Sequence, residues 1–223
     1  MNTPSPPHPA TPWDRLYPLL FVALWSTGFI GAKFGLPSAE PLTFLSVRYA
    51  VVLLLMGAIA VLSGAPWPRA PKEWFHIGVA GLLVHAVYLG GVFSAIALGL
   101  PAGIAALVVG LQPVLTALGA GVLLGERVRP TQWAGLAMGF AGVGMVVAHK
   151  MVAGHSGGTL TTMLVPAVLA LLGITAGTLY QKRFCPSFDL RTGSVIQFLP
   201  CLAVTGLLAH QTETMQIRWT SDF

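Results

Sequence analysis

The run VVGLQPVLTALGAGVLLGERV, Val108–Val128, is apolar enough for a buried helix. Yet it carries Gln112 and Pro113 near its middle and Gly125-Glu126-Arg127 at its end. A proline inside a helix removes a backbone donor and crowds the preceding turn. A buried glutamine needs a hydrogen-bonding partner. Both residues make sense in a helix that is surrounded by lipid and deliberately broken. Irregular backbone at membrane depth is tolerated where it is buried in protein or lines a cavity.

Composition agrees with lipid as the solvent. Hydrophobic residues make up 55% of the 223 and charged residues 9%, with a mean hydropathy of +0.76. A soluble domain carries about a quarter charged residues. Too few charges remain to coat a water-soluble globule, so the chain reads as an integral membrane protein.

Seven apolar stretches reach the roughly 20 residues of a helical span. They are A, Leu16–Phe34; B, Leu42–Leu62; C, Trp74–Leu98; D, Ala102–Leu124; E, Thr131–Ala148; F, Leu160–Tyr180; and G, Thr192–Ala209. None shows the short alternating pattern of a transmembrane strand. The expected fold is all-α, a polytopic transmembrane helix bundle. Short Gly- and Pro-rich joints such as GLPSAEP and SGAPWPRAP separate the spans.

Placing the N-terminus in the cytoplasm puts Arg15, Arg69, Lys72, Arg127, Arg129, Lys182, Arg183 and Arg191 inside. Lys33, Lys150 and Arg218 then fall outside, which satisfies the positive-inside rule. The net charge of +5 follows from this bias and is no sign of nucleic-acid binding. Residues 1–15 are Pro-rich and read as a disordered cytoplasmic tail. Cys185 and Cys201 suggest neither a disulfide nor a metal site.

Membrane carriers often contain inverted repeats. Lys33-Phe34 after span A resembles Arg183-Phe184 after F, and Ser46-Val47 in B resembles Ser194-Val195 in G, although the match needs a small gap. An offset of five helices would invert the second copy. The expected organisation is a first five-helix repeat over 16–148, an extracytoplasmic loop over 149–159 and two helices of an inverted second repeat over 160–223.

Two segments carry a specific resemblance. LFVALWSTGFIGAKFGLPSAEPLTFLSVRYA is similar to the opening of a bacterial drug/metabolite transporter of the EamA type. GLPAGIAALVVGLQPVLTALGAGVLLGERV resembles that family's fourth helix with its terminal Gly-Glu signature. The resemblance implies ten helices in two inverted repeats, cytoplasmic termini, a central substrate cavity and a bacterial inner-membrane location. It also implies a chain truncated after its seventh helix.

Candidate site residues follow. Pro113 would leave the Val109 carbonyl without its helical partner near mid-membrane, because span D is about 33 Å long at 1.5 Å per residue. Gln112 and Thr116 share a face, four residues apart. These groups either line a cavity wall or mark a plain kink with a bonded glutamine. Gly81, His85 and Tyr88 form one stripe on span C; His85 is either a titratable cavity group or neutral glue between helices. The resemblance places a cavity along this helix and along span A, where Trp25 becomes a candidate. Arg48 either snorkels outward or pairs with Glu40, or joins Lys33 in an outer vestibule that attracts anions.

No carboxylate lies deep in a span, so coupling to an ion through an intramembrane acid is not expected. GxxxG pairs at Gly121/Gly125 and Gly135/Gly139 mark packing faces. GHSGG, Gly154–Gly158, matches the nucleophile elbow of hydrolases but lies in a loop without the strand that motif requires. An intramembrane hydrolase acting through Ser156 is therefore a remote reading. The main expectation is a carrier, an exporter of small metabolites, amino acids or drug-like compounds. It would have no catalytic residues, cofactor or metal, and its partners would be the lipid bilayer and its small-molecule substrate. The rival expectation is a non-transporting fragment, with a homodimer as one way of completing the cavity.

Overall fold

The computed structural model describes residues 16–124, 130–152 and 160–219; Ser156, Gly125 and the expected N-terminal tail lie outside them. Among the described residues the chain is helical, with no strand. The helices are α1 (Leu16–Gly35), α2 (Pro41–Leu62), α3 (Pro71–Gly81), a π-helical segment (Leu82–Val87), α4 (Tyr88–Ala97), α5 (Ala102–Val109), α6 (Gln112–Leu124), α7 (Pro130–Val152), α8 (Leu160–Phe184) and α9 (Leu190–Thr212). Six helical stretches among these residues are long and apolar enough to cross a membrane, and they fall on spans A, B, C, D, F and G. Span E forms α7, whose 23 residues reach about 34 Å.

Local chemistry places the ends. α2 and α3 begin on Pro41 and Pro71, where the missing N–H costs no intrahelical bond. α2 and α4 end on Gly64 (φ 60°) and Gly99 (φ 101°), the left-handed conformation glycine adopts without penalty. Beyond them Ala65 N–H donates to the Ala60 carbonyl at 2.9 Å, and Leu100 N–H to Ala95 at 3.0 Å. These bonds satisfy carbonyls the helix end would otherwise orphan.

Two expectations are corrected. Span C is not one regular helix: the π-helical turn at Leu82–Val87 interrupts it. Span D is two helices, broken at Gly110–Leu111. Pro113 therefore does not kink a continuous helix. It is the second residue of α6, where its lack of a donor is harmless.

The core lies where antiparallel α2 and α9 meet α4 and α8. Leu45, Tyr49, Phe93, Ala167, Ala170 and Cys201 are buried there. α1 buries only Phe29, Ala32 and Gly35. Its remaining apolar side chains suit lipid, which charges nothing for exposed hydrocarbon. The tightest approaches are at glycines. A Cβ on Gly81 would stand 2.6 Å from Gln197 Cα, and one on Gly173 would stand 2.7 Å from Val87 Cγ1. Gly173 and Gly177 are a GxxxG pair, and they hold α8 against the π-helical turn. The pair expected to pack in span E does less: nothing lies within 4 Å of a Cβ on Gly135.

One register needs no gap. From Gly35 to Phe184, the ends of α1 and α8, is a step of 149 positions; from Pro41 to Leu190, the starts of α2 and α9, is the same step. At that step Lys33 falls on Lys182, Pro37 on Pro186, Ser38 on Ser187 and Thr43 on Thr192. Tyr49 falls on Phe198, and these two rings pack on each other with centroids 5.4 Å apart.

Candidate functional site

A cavity of about 1140 Å³ lies between α1, α5, α6 and α8. Of the expected site residues, Trp25, Lys33, Gln112 and Pro113 line it. The break between α5 and α6 supplies one wall through Val109, Gly110, Gln112 and Pro113. Around the break Gly110 N–H donates to Ala106, Leu111 N–H donates three residues back to Val108, and the ladder resumes with Leu115 to Leu111. Gln112 Nε2 donates to Thr116 Oγ1 and to Thr178 Oγ1, each at 3.3 Å. The amide thus ties α6 to α8 at the cavity wall, and Thr116 acts behind Gln112 rather than in the lining.

Trp25 faces the cavity from α1, stacks on Tyr88 at 6.1 Å and packs with its ring tilted against Phe21 at 5.2 Å. Tyr88 is 7% exposed and does not line the cavity; it backs the indole. His85 does not line the cavity either. Its ring stacks on Phe198 at 4.3 Å, its Nε2 lies 3.4 Å from Gln197 Oε1, and its carbonyl accepts from Tyr49 Oη at 2.8 Å. These contacts hold the imidazole against α9. Arg48 is exposed on α2 and does not line this cavity, whereas Lys33 does. Nor does Glu40 pair with Arg48: the Glu40 carboxylate accepts from Thr214 N–H at 2.6 Å and Thr214 Oγ1 at 2.7 Å.

The sequence reading missed the wall given by α8, which is Thr178, Gln181 and Lys182, with Cys185 and Pro186 beyond the helix. A signal existed: Thr178 and Gln181 stand three residues apart, on one face at the end of α8. Gln197 Nε2 donates to Gln181 Oε1 at 3.3 Å, so amides link the His85 cluster to the cavity wall. Outside the spans, burial pushes the Cys185 thiol above its ordinary value. At the start of α9 the Arg191 guanidinium, 2.7 Å from the Asp189 carboxylate, holds that acid down at about 2.

Also missed was a strap across one end of the bundle. The Glu213 carboxylate accepts from Leu42 N–H (2.8 Å), Thr43 N–H (2.7 Å) and Thr43 Oγ1 (2.6 Å). Arg218 N–H donates to Ser38 at 2.8 Å beside an isolated bridge between Ala39 and Ile217. At the opposite end of the α2–α9 pair, Thr192 Oγ1 donates to the Pro66 carbonyl at 2.9 Å.

Residues 15–148 match the model of the EamA-like transporter family. The chain is 30% identical over 175 residues to the "Uncharacterized inner membrane transporter YedA" of Escherichia coli strain K12, covering 77% of this chain and 54% of that protein. It is 29% identical over 170 residues to a "Probable amino-acid metabolite efflux pump" of the same strain, covering 76% and 54%. It is 28% identical over 211 residues to the "Uncharacterized transporter YvbV" of Bacillus subtilis strain 168, covering 91% and 65%. The chain thus spans about half the length of the Escherichia coli relatives it matches. A solved crystal structure superposes with a TM-score of 0.62 over 87% of this chain and 70% of that one, at 24% identity, a likeness of fold.

Proposed function

The chain belongs to the EamA-like transporter family, and on that premise we propose that it works as a carrier in a bacterial inner membrane. It exports small metabolites, amino acids or drug-like compounds by alternating access. The observation that carries this reading is the cavity itself. An apolar space is walled by a broken helix and crossed by a few fixed polar groups, the usual form of a small-molecule site. Trp25 offers a flat apolar surface, and Gln112, Thr178 and Gln181 offer hydrogen bonds. Pro113 keeps the break in place, while Thr116, Tyr88 and His85 hold the lining residues from behind.

The constant step of 149 positions supports a first repeat over 16–148 and a second, inverted repeat over 160–223. The packing of Tyr49 on its counterpart Phe198 suits a pseudo-twofold axis between α2 and α9. The cation bias of the loops supports a cytoplasmic N-terminus. Rocking of the two repeats about that axis would open the cavity to each side in turn.

The test is binding and efflux by the full chain. Purified chain in lipid nanodiscs should bind small amphipathic compounds saturably, and cells expressing it should lose preloaded compound faster than cells without it. Trp25→Ala should weaken both effects about tenfold, the size expected for one aromatic anchor. Equal binding by Trp25→Ala and the unaltered chain would place the site elsewhere.

A further inference from the structure

Resting on the carrier reading, we propose that the cavity recognises an uncharged primary carboxamide, whose N–H groups donate to the carbonyls of Gln112 and Gly110 and whose oxygen accepts from the Gln181 amide. The preferred cargo is then a small apolar compound bearing one carboxamide. Three observations carry this. The first fixes the Gln112 side chain. Thr178 Oγ1 gives its hydrogen to the Ile174 carbonyl at 2.7 Å, so toward Gln112 it can only accept. The Gln112 atom beside it is therefore the amide nitrogen, whose two hydrogens go to Thr178 and Thr116. Among the described residues no donor reaches Gln112 Oε1, and no side-chain oxygen is both buried and without a partner. Gln112 lines the cavity, so a bare carbonyl oxygen is what it offers there.

The second is the break between α5 and α6. In an unbroken helix Val114 N–H would reach the Gly110 carbonyl; here it donates to Leu111 at 3.1 Å. Among the described residues no backbone N–H donates to Gly110, which also lines the cavity. A backbone carbonyl away from water is costly until a donor meets it. The third is the order of amides behind α8. With its proton on Nε2, His85 donates to Gln197 Oε1 at 3.4 Å, and Gln197 Nε2 donates to Gln181 Oε1 at 3.3 Å. The carbonyl of Gln181 is thereby occupied, and its two amide hydrogens are what this lining residue presents. His85 is a positioning residue in this scheme: through Gln197 it sets which end of Gln181 is used by the amide network.

The three groups lie close enough to serve one ligand. Gln112 is held on Thr178, and Thr178 and Gln181 are neighbours on one helical face, where Cβ atoms stand about 5–6 Å apart. The wall thus offers two acceptors from the break and one donor from α8, the complement of a primary carboxamide. An ester supplies no N–H to the break. A carboxylate sets oxygen against oxygen there. An amine leaves the Gln181 hydrogens without an acceptor. A site built on such bonds discriminates against each analogue because its own polar groups are left unpaired.

The experiment uses the full chain in phosphatidylcholine nanodiscs, with empty nanodiscs as the blank, and four radiolabelled probes that share one aromatic body: phenylacetamide, methyl phenylacetate, phenylacetate and phenethylamine. Phenylacetamide should bind about tenfold tighter than the ester, the size expected for the hydrogen bonds its N–H groups make, and tighter than the acid and the amine. Because the group is uncharged, that preference should hold as salt is raised. Gln112→Met should bring phenylacetamide down toward the ester and leave the ester unchanged. Gln181→Met should weaken amide and ester by a similar factor, since both lose the donor to their carbonyl. A general loss of packing would not split the probes in this crossed way. The probe series on the unaltered chain decides the matter even where a variant fails to fold. Equal binding of amide and ester, or a preference for the acid or the amine, overturns this inference and leaves the carrier reading standing. Binding of none of the four, together with no saturable binding of other small amphipathic compounds, overturns both.

Discussion

Removing the Glu213 carboxylate should loosen the α2–α9 pair. That single group accepts three hydrogen bonds, two from backbone N–H groups in the first turn of α2 and one from the Thr43 hydroxyl, all between 2.6 and 2.8 Å. First-turn N–H groups have no partner within their own helix. A cap is worth about 1 kcal/mol on average, and a hydrogen bond to a charged group about 1.5–3 kcal/mol. The three bonds share one carboxylate and lie partly exposed, so they do not add in full. Glu213→Ala should therefore cost about 2–3 kcal/mol, and Glu213→Gln about 1 kcal/mol, because the amide oxygen still accepts. Thr43→Val, at a site only 2% exposed, should cost about 1 kcal/mol. The assay is reversible unfolding in mixed micelles as a double-mutant cycle, with a coupling of about 1 kcal/mol between positions 43 and 213. Glu213→Ala within about 0.5 kcal/mol of the unaltered chain, the scatter of ordinary surface substitutions, would refute the strap as a fastening between these helices.

Three further outcomes are expected. Gly177→Leu forces a side chain into Val84 and Leu83 of the π-helical turn and should cut the yield of folded protein sharply, whereas Gly135→Leu should be tolerated; equal yields in detergent extracts would count against close packing at α8. A maleimide should label Cys185 and spare Cys201, which is fully buried. Because the Cys185 thiol sits above its ordinary pKa, labelling should keep accelerating about tenfold per pH unit beyond the pH where a free thiol levels off, and an impermeant reagent should reach it from the cytoplasmic side. Asp189, held down at about 2, contributes stability that is present above the usual aspartate value near 4 and is lost as pH falls from there to about 2. The stability difference between the unaltered chain and Asp189→Asn should shrink over that window in pH-dependent melts.

The sequence by itself determined the solvent, the helical class and the location of most spans. Each follows from short-range quantities: transfer of side chains to lipid, and backbone bonds closed within one segment. It also marked a break close to Gln112-Pro113, because proline chemistry is local. Whether Pro113 kinks one helix or starts another was settled by which carbonyls the following N–H groups reach, which tertiary packing decides. Only the folded chain brought Gln112 to Thr178, set His85 against Phe198 and Gln197, and laid Glu213 on the first turn of α2. Position 213 reaches back 170 residues to that helix, and nothing in local hydrophobicity encodes such a pairing. The same holds for the cavity. Trp25 and Lys33 were readable as unusual residues, but their union with Lys182 depends on α8 facing α1. Lipid rewards burial of apolar surface between helices very little, so the choice of neighbours rests on close fit at Gly81, Gly173 and Gly177 and on a few polar contacts. Such fit is a property of two surfaces together, and one stretch of sequence carries only half of it.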